Sequence, residues 1–190
     1  MTKVKRAKKV IGLEEFVPEN GITVLLDTNI LLNTFLPYNP EKQRKYAALW
    51  QRLKKNRANL IVTSIQLSEL INRSIRIEYA LYKKVHNLPD LDYKKEYRPT
   101  DDYLAKMDDI LDVVQKDIVP NFQFVNDKFE EMQQSEIFKR GFSYDFNDAL
   151  LVEIARKYDA VFITEDADFA NYKIDFPLVT SNSILLMMKH

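Results

Sequence analysis

Four short apolar runs constrain the fold of this chain more than any other feature. Ile22–Leu26, Leu60–Thr63, Phe122–Val125 and Val161–Ile163 each span three to five residues, and three of them are rich in β-branched side chains. Runs this short and continuous suit strands buried on both faces. Between them the period changes. Tyr46, Leu49, Trp50 and Leu53 recur at helical steps, which predicts an amphipathic helix over 41–56. Thr63-Ser64-Ile65-Gln66 is a capping box that opens a helix running to about Val85. Leu31, Leu32 and Phe35 fit a short helix before Pro37, and Tyr103, Met107, Ile110, Leu111 and Val114 form a stripe that Pro120 ends. A loop is expected over 86–99 and a helix over 126–139. Asp145 is placed to cap a further helix over 146–158. Phe176–Val179 reads as a last strand, and Ser181 as the cap of a closing helix.

Strands alternating with helices predict an α/β fold. The expected form is a three-layer α/β/α sandwich around a central, mainly parallel sheet of four to five strands. A length of 190 residues suits one domain. The expected division is a basic appendage over 1–21 and a domain over 22–190, with a helical insertion around 86–117.

The composition narrows the chemistry. There is no cysteine, which excludes disulfides, thiolate nucleophiles and Cys-ligated zinc. His86 and His190 are the two histidines, too few for a His-rich zinc site. A bound metal would need oxygen ligands, which favours Mg²⁺ or Mn²⁺. The 28 basic and 28 acidic residues balance, so a general polyanion binder is disfavoured, although a local basic patch is allowed. Lys3, Lys5, Arg6, Lys8 and Lys9 form one such cluster, either a solvated terminus or an arm for nucleic acid. No apolar run reaches about 18 residues and the start lacks an apolar signal core, so a cytoplasmic protein is expected.

Acids stand at the edges of the apolar runs. Asp27 closes Ile22–Leu26, Glu69 follows Leu60–Thr63, Asp148 opens Ala149–Val152, and Asp166 follows Val161–Thr164. A carboxylate beside a core is costly unless it is paired, hydrogen-bonded or metal-bound. Each also has a plain structural reading. Asp27 could cap the next helix. Glu69 could pair with Arg73 one turn on. Asp145 and Asp148 could both complement a helix start, with Asp145 the better cap. Asp168 could cap or join the ligands. In a parallel sheet, however, ligands bind beyond the carboxyl ends of the strands, where Asp27, Thr63 and Asp166 fall together.

The residues Leu25-Leu26-Asp27-Thr28-Asn29, Thr63-Ser64 leading to Glu69-Leu70, Gly141 to Leu150 around Asp145 and Asp148, and Thr164-Glu165-Asp166-Ala167-Asp168-Phe169 carry a resemblance. The chain resembles the PIN-domain ribonucleases, particularly the toxin component of VapBC-type toxin–antitoxin pairs, from about Ile22 onward. The resemblance implies a PIN-like fold and a metal-dependent endoribonuclease that hydrolyses RNA phosphodiester bonds. Asp27, Glu69, Asp148 and Asp166 would then be the catalytic acids and the ligands of Mg²⁺ or Mn²⁺, with Asp168 a further ligand. Thr28, Asn29, Thr63, Asp145 and Thr164 would support them. Phosphate binding needs cations near the acids, and Arg73, Arg76, Lys139 and Arg140 are the candidates. Tyr144 could stack on unpaired bases, whereas Phe142 suits either stacking or the core. An antitoxin or other inhibitor and a homodimer are the partners implied; a membrane is not.

Two other readings compete. A haloacid-dehalogenase-like phosphatase needs Asp-x-Asp after its first strand, and Asp27-Thr28-Asn29 lacks the second acid. A non-catalytic PIN-like module for RNA or protein binding predicts a degenerate acid set, whereas all four acids are present.

Overall fold

The computed structural model describes residues 10–139 and 145–189. The N-terminal lysines, Arg6, Arg140, Phe142, Tyr144 and His190 lie outside the described residues. Six parallel strands form one sheet: β1 (Val10–Gly12), β2 (Thr23–Leu26), β3 (Asn59–Val62), β4 (Gln123–Phe124), β5 (Val161–Ile163) and β6 (Leu178–Thr180). Their order across the sheet is β1-β6-β5-β2-β3-β4. The helices are α1 (Thr28–Phe35), α2 (Pro40–Lys55), α3 (Ser64–His86), α4 (Asp101–Val113), α5 (Gln134–Ile137), α6 (Phe146–Lys157) and α7 (Ser183–Leu186). Among the described residues no helix is long and apolar enough to cross a membrane.

The alternation of side chains along each strand divides the core into two layers. Val24 and Leu26 of β2 face α1, α2 and the first half of α3, with Leu60, Val62, Val161, Ile163 and Val179 alongside. Leu25 points the other way, with Ile61, Phe162 and Leu178, against α6 and Phe169. Both faces are covered, which explains why the strands read as continuous apolar runs rather than alternating ones. The second half of α3 leaves the sheet and packs on α4 around buried Ile75, Tyr97 and Ile110.

The sheet has six strands rather than four to five. The extra edge strand is β1, whose Val10, Ile11 and Gly12 pair with Leu178, Val179 and Thr180. Leu13 and Phe16 follow it into the core, so residues from Val10 onward build the sheet. The stretch 126–139 is not one helix. Lys128 adopts a left-handed backbone (φ 56°), a 3₁₀ turn spans Phe129–Glu131, and extended Met132 and Gln133 separate it from the single turn of α5. Within the expected loop over 86–99, a π-helical turn spans Tyr93–Tyr97 and buries Tyr97. The closing helix is capped by Asn182, whose side chain accepts from the Ile184 N–H, rather than by Ser181.

Candidate active site

The chain runs from β2 to β3 and β4 in one direction and from β5 to β6 in the other. The strand order therefore reverses between β2 and β5. A crevice opens at such a switch point, beyond the carboxyl ends of the strands. Asp27 follows β2 there and Thr164 follows β5. The Asp27 N–H donates to the Ile163 carbonyl (2.9 Å), so the parallel pairing continues one residue past the strand.

Asp27 is 5% exposed and its side chain makes no capping bond to α1. It accepts instead from the Thr164 hydroxyl (2.6 Å), itself fully buried. The Thr164 Oγ1 in turn accepts the Asp166 N–H (3.0 Å). One hydroxyl thus fixes two of the predicted acids relative to each other. Burial pushes the Asp27 carboxyl up to about 6; the Thr164 bond opposes this, while the nearby charges of Asp166 and Glu69 add to it.

Glu69 sits in the second turn of α3. Thr63 caps this helix with a complete capping box, and the Gln66 amide reaches across to the Leu26 carbonyl (2.6 Å). That bond ties the start of α3 to the end of β2. Glu69 accepts from the buried Thr28 hydroxyl (2.9 Å) and pairs with Arg73 (3.3 Å). The helical ion pair is thus present, and the Glu69 charge also bears on Asp27.

Asp148 lies in the first turn of α6, half-buried, and Asp145 is the cap, accepting from the Asn147 N–H (2.7 Å). Burial first, then the charges of Asp145, Asp27, Asp166 and Glu69, push the Asp148 carboxyl up to about 7. Asp27, Glu69, Asp148 and Asp166 come from four separate elements, and each lies close enough for its charge to bear on another of the set. Asp168 is exposed and joins them only through its backbone N–H, which donates to Asp166 (3.0 Å). Asn29 and Asp166 line a hollow of about 230 Å³ with Lys42 and Tyr46.

Glu165 does other work. It pairs with Lys45 (3.2 Å) and accepts from the Ser181 hydroxyl (2.6 Å) and the Ser181 N–H (3.0 Å). Lys45 also donates to Ser181 Oγ. Sequence reading missed this clamp on the Thr164–Asp166 loop, because its members lie on α2 and beyond β6. Of the predicted cations, Arg73 and Arg76 lie on α3 next to Glu69, and the Arg76 guanidinium stacks on Tyr93 at 3.6 Å. Lys139 stands past α5, paired with Glu136 (2.9 Å). Beside the start of α6, exposed Phe146 stacks on Phe138 (5.9 Å, 23°), and Phe129 meets both.

Among the described residues no three His, Cys, Asp or Glu side chains form a ready-made metal cage. Glu69 is engaged by Thr28 and Arg73, and Asp166 accepts from the Asp168 N–H. The donor set itself is carboxylate and hydroxyl oxygen, the chemistry that suits a hard dication. His86 lies against Tyr82 at the far end of α3.

The sequence model of the PIN domain matches residues 24–175. Among solved structures, the chain is similar to the crystal structure of VapBC2 from Rickettsia felis bound to a DNA fragment from their promoter. The two are 18% identical, with a TM-score of 0.48, over 84% of this chain and 98% of that one. No curated protein matches this chain.

Proposed function

Since the chain belongs to the PIN domain family, whose members are generally nucleases, we propose that it is a metal-dependent endoribonuclease acting through Asp27, Glu69, Asp148 and Asp166. One observation carries the reading. Asp27 is a buried carboxylate at the sheet's switch point, and its burial and the charges of Asp166 and Glu69 outweigh the hydrogen bonds it accepts. Such an arrangement is unfavourable for folding alone, and a cation relieves it.

These four carboxylates would hold Mg²⁺ or Mn²⁺, with Asp168 near enough in sequence to join them. Bound there, the ion would supply an activated water and neutralise charge on the phosphate. The chain's own residues set the geometry. Thr164 holds Asp27 and the Asp166 backbone, Thr28 holds Glu69, Gln66 fixes the start of α3, and Asp145 ends the turn that presents Asp148. Asn29 faces the hollow beside Asp166. Arg73 and Arg76 provide positive charge for the substrate's phosphates. The resemblance also implies an antitoxin-like inhibitor covering this edge, to be sought as a co-purifying protein that suppresses cleavage.

The test is incubation with labelled single-stranded RNA and matched DNA in Mg²⁺, Mn²⁺ or EDTA, with Asp27→Asn alongside. RNA cleavage that requires the metal and Asp27 is expected. Intact RNA under every metal condition, with no inhibitor present, overturns the proposal.

A further inference from the structure

Helix α3 outlasts the sheet it packs on. Beyond Glu69, one of its faces carries Arg73, Arg76, Ala80 and Lys84, spaced 4, 7, 11 and 15 residues on, so they form a single stripe. This face of α3 is open, and Ile77 and Leu81 lie along its flank. Leu81 is 44% exposed and adds apolar surface beside the cations. The axis advances about 22 Å from Glu69 to Lys84 at 1.5 Å per residue. The charge along the stripe is one-sided: Glu69 at the acid end, then three cations. The other acid of this segment, Glu78, belongs elsewhere, paired with Lys106 (3.8 Å). The Arg76 guanidinium carbon lies over the Tyr93 ring at 3.6 Å, which restrains this otherwise flexible side chain.

We propose that this face of α3 is a track for single-stranded polynucleotide leading away from the carboxylates. Arg73, Arg76 and Lys84 take its phosphates, and Ile77 and Leu81 take its bases. The inference rests on the nuclease reading and extends it to the path and length of the bound strand. At the stacked spacing of about 3.4 Å per nucleotide, 22 Å accommodates roughly six nucleotides. Positive charge beside exposed apolar surface is what an unpaired strand requires, since it offers phosphates and base faces together. A duplex hides its base faces and fits the stripe less well.

The experiment uses the full chain carrying Asp27→Asn, to prevent cleavage, and fluorescence anisotropy with labelled RNAs: a 4-mer, a 12-mer and a 12-base-pair duplex. The 12-mer should bind more tightly than the other two. Adding Lys84→Ala, at the exposed distal end, should weaken the 12-mer about fivefold at 0.1 M salt and flatten its salt dependence by about 0.7 in log–log slope, the effect of one lost single-strand phosphate contact. The 4-mer should be unaffected if it sits at the acids. Leu81→Glu should weaken the 12-mer without the shallower slope. Parent protein that binds the 12-mer, with Lys84→Ala, Arg76→Ala and Leu81→Glu all binding it equally well, overturns the track and leaves the nuclease reading standing. If those changes instead alter the oligomeric state in size-exclusion chromatography, this face is a protein interface and the track is again refuted. Parent protein that binds no nucleic acid removes both readings together.

Discussion

At the scale of single residues, the acid edge is set by which carboxylates have a structural partner and which do not. Asp145 has one in the Asn147 N–H and Glu165 has Lys45 and Ser181, whereas the Thr164 hydroxyl and the Asn29 N–H do not offset the burial of Asp27. A carboxyl whose folded pKa is raised binds its proton more tightly when folded. From about pH 4 up to about 6, the unfolded chain therefore holds fewer protons than the native one at Asp27, and stability falls as pH rises. Above that window the loss is complete, roughly 3 kcal/mol in metal-free protein. Asp27→Asn should abolish cleavage yet raise the EDTA-treated protein's denaturation midpoint at pH 8, with little gain at pH 4. An equal or lower midpoint at pH 8 would mean that Asp27 is not strained. Thr164→Val keeps the shape but removes the donor and should cost about 1–3 kcal/mol in chemical denaturation at pH 8. Asp27 could be found in the sequence because it ends an apolar run. The role of Glu165 could not, because its partners lie 120 and 16 residues away.

At the scale of elements, helix starts carry the site. The capping box at Thr63 was legible from four residues, and the helix it opens runs over Ser64–His86, close to the expectation. What four residues cannot disclose is that Gln66 bonds both ways, to its own cap and to the Leu26 carbonyl across the sheet edge. Gln66→Ala removes both bonds inside a fully buried position. It should lower stability by about 2–4 kcal/mol, since a cap and a buried carbonyl each lose their partner. Because the start of α3 also sets the place of Glu69, cleavage should fall mainly in kcat, with RNA affinity along the exposed face of α3 retained. Loss of affinity with kcat unchanged would detach Glu69 from the chemistry. Less of the edge elements could be read. β1 is three residues in a lysine-rich context, and its pairing with β6 spans almost the whole chain. The stretch 126–139 has helical spacing, yet the left-handed Lys128 breaks it and Phe129 and Phe138 meet through space instead.

At the scale of the whole molecule, a sheet that reverses between β2 and β5 gathers acids from distant segments, and their repulsion makes metal and proton competitors. In EDTA the protein should become more stable as pH falls from 8 toward 5, because the carboxyls at about 7 (Asp148) and about 6 (Asp27) take up protons more readily folded than unfolded. Mg²⁺ or Mn²⁺ should offset part of the stability lost as pH rises. At pH 8 Asp27 and Asp148 have lost their protons and can hold the ion, and a concentration 100-fold above its Kd adds about 2.7 kcal/mol. For a domain of this length that is a rise of about 5–10 °C in Tm. As pH falls through 7 and then 6, protons displace the ion and the increment shrinks, so the curves with and without metal converge near pH 5. Scanning thermal unfolding at pH 5, 6, 7 and 8 with each cation and with EDTA decides the matter. An increment that grows with pH identifies these carboxylates as the cation site. An increment that is absent, or the same at every pH, assigns their strain to some other partner and removes the ground for metal-dependent cleavage.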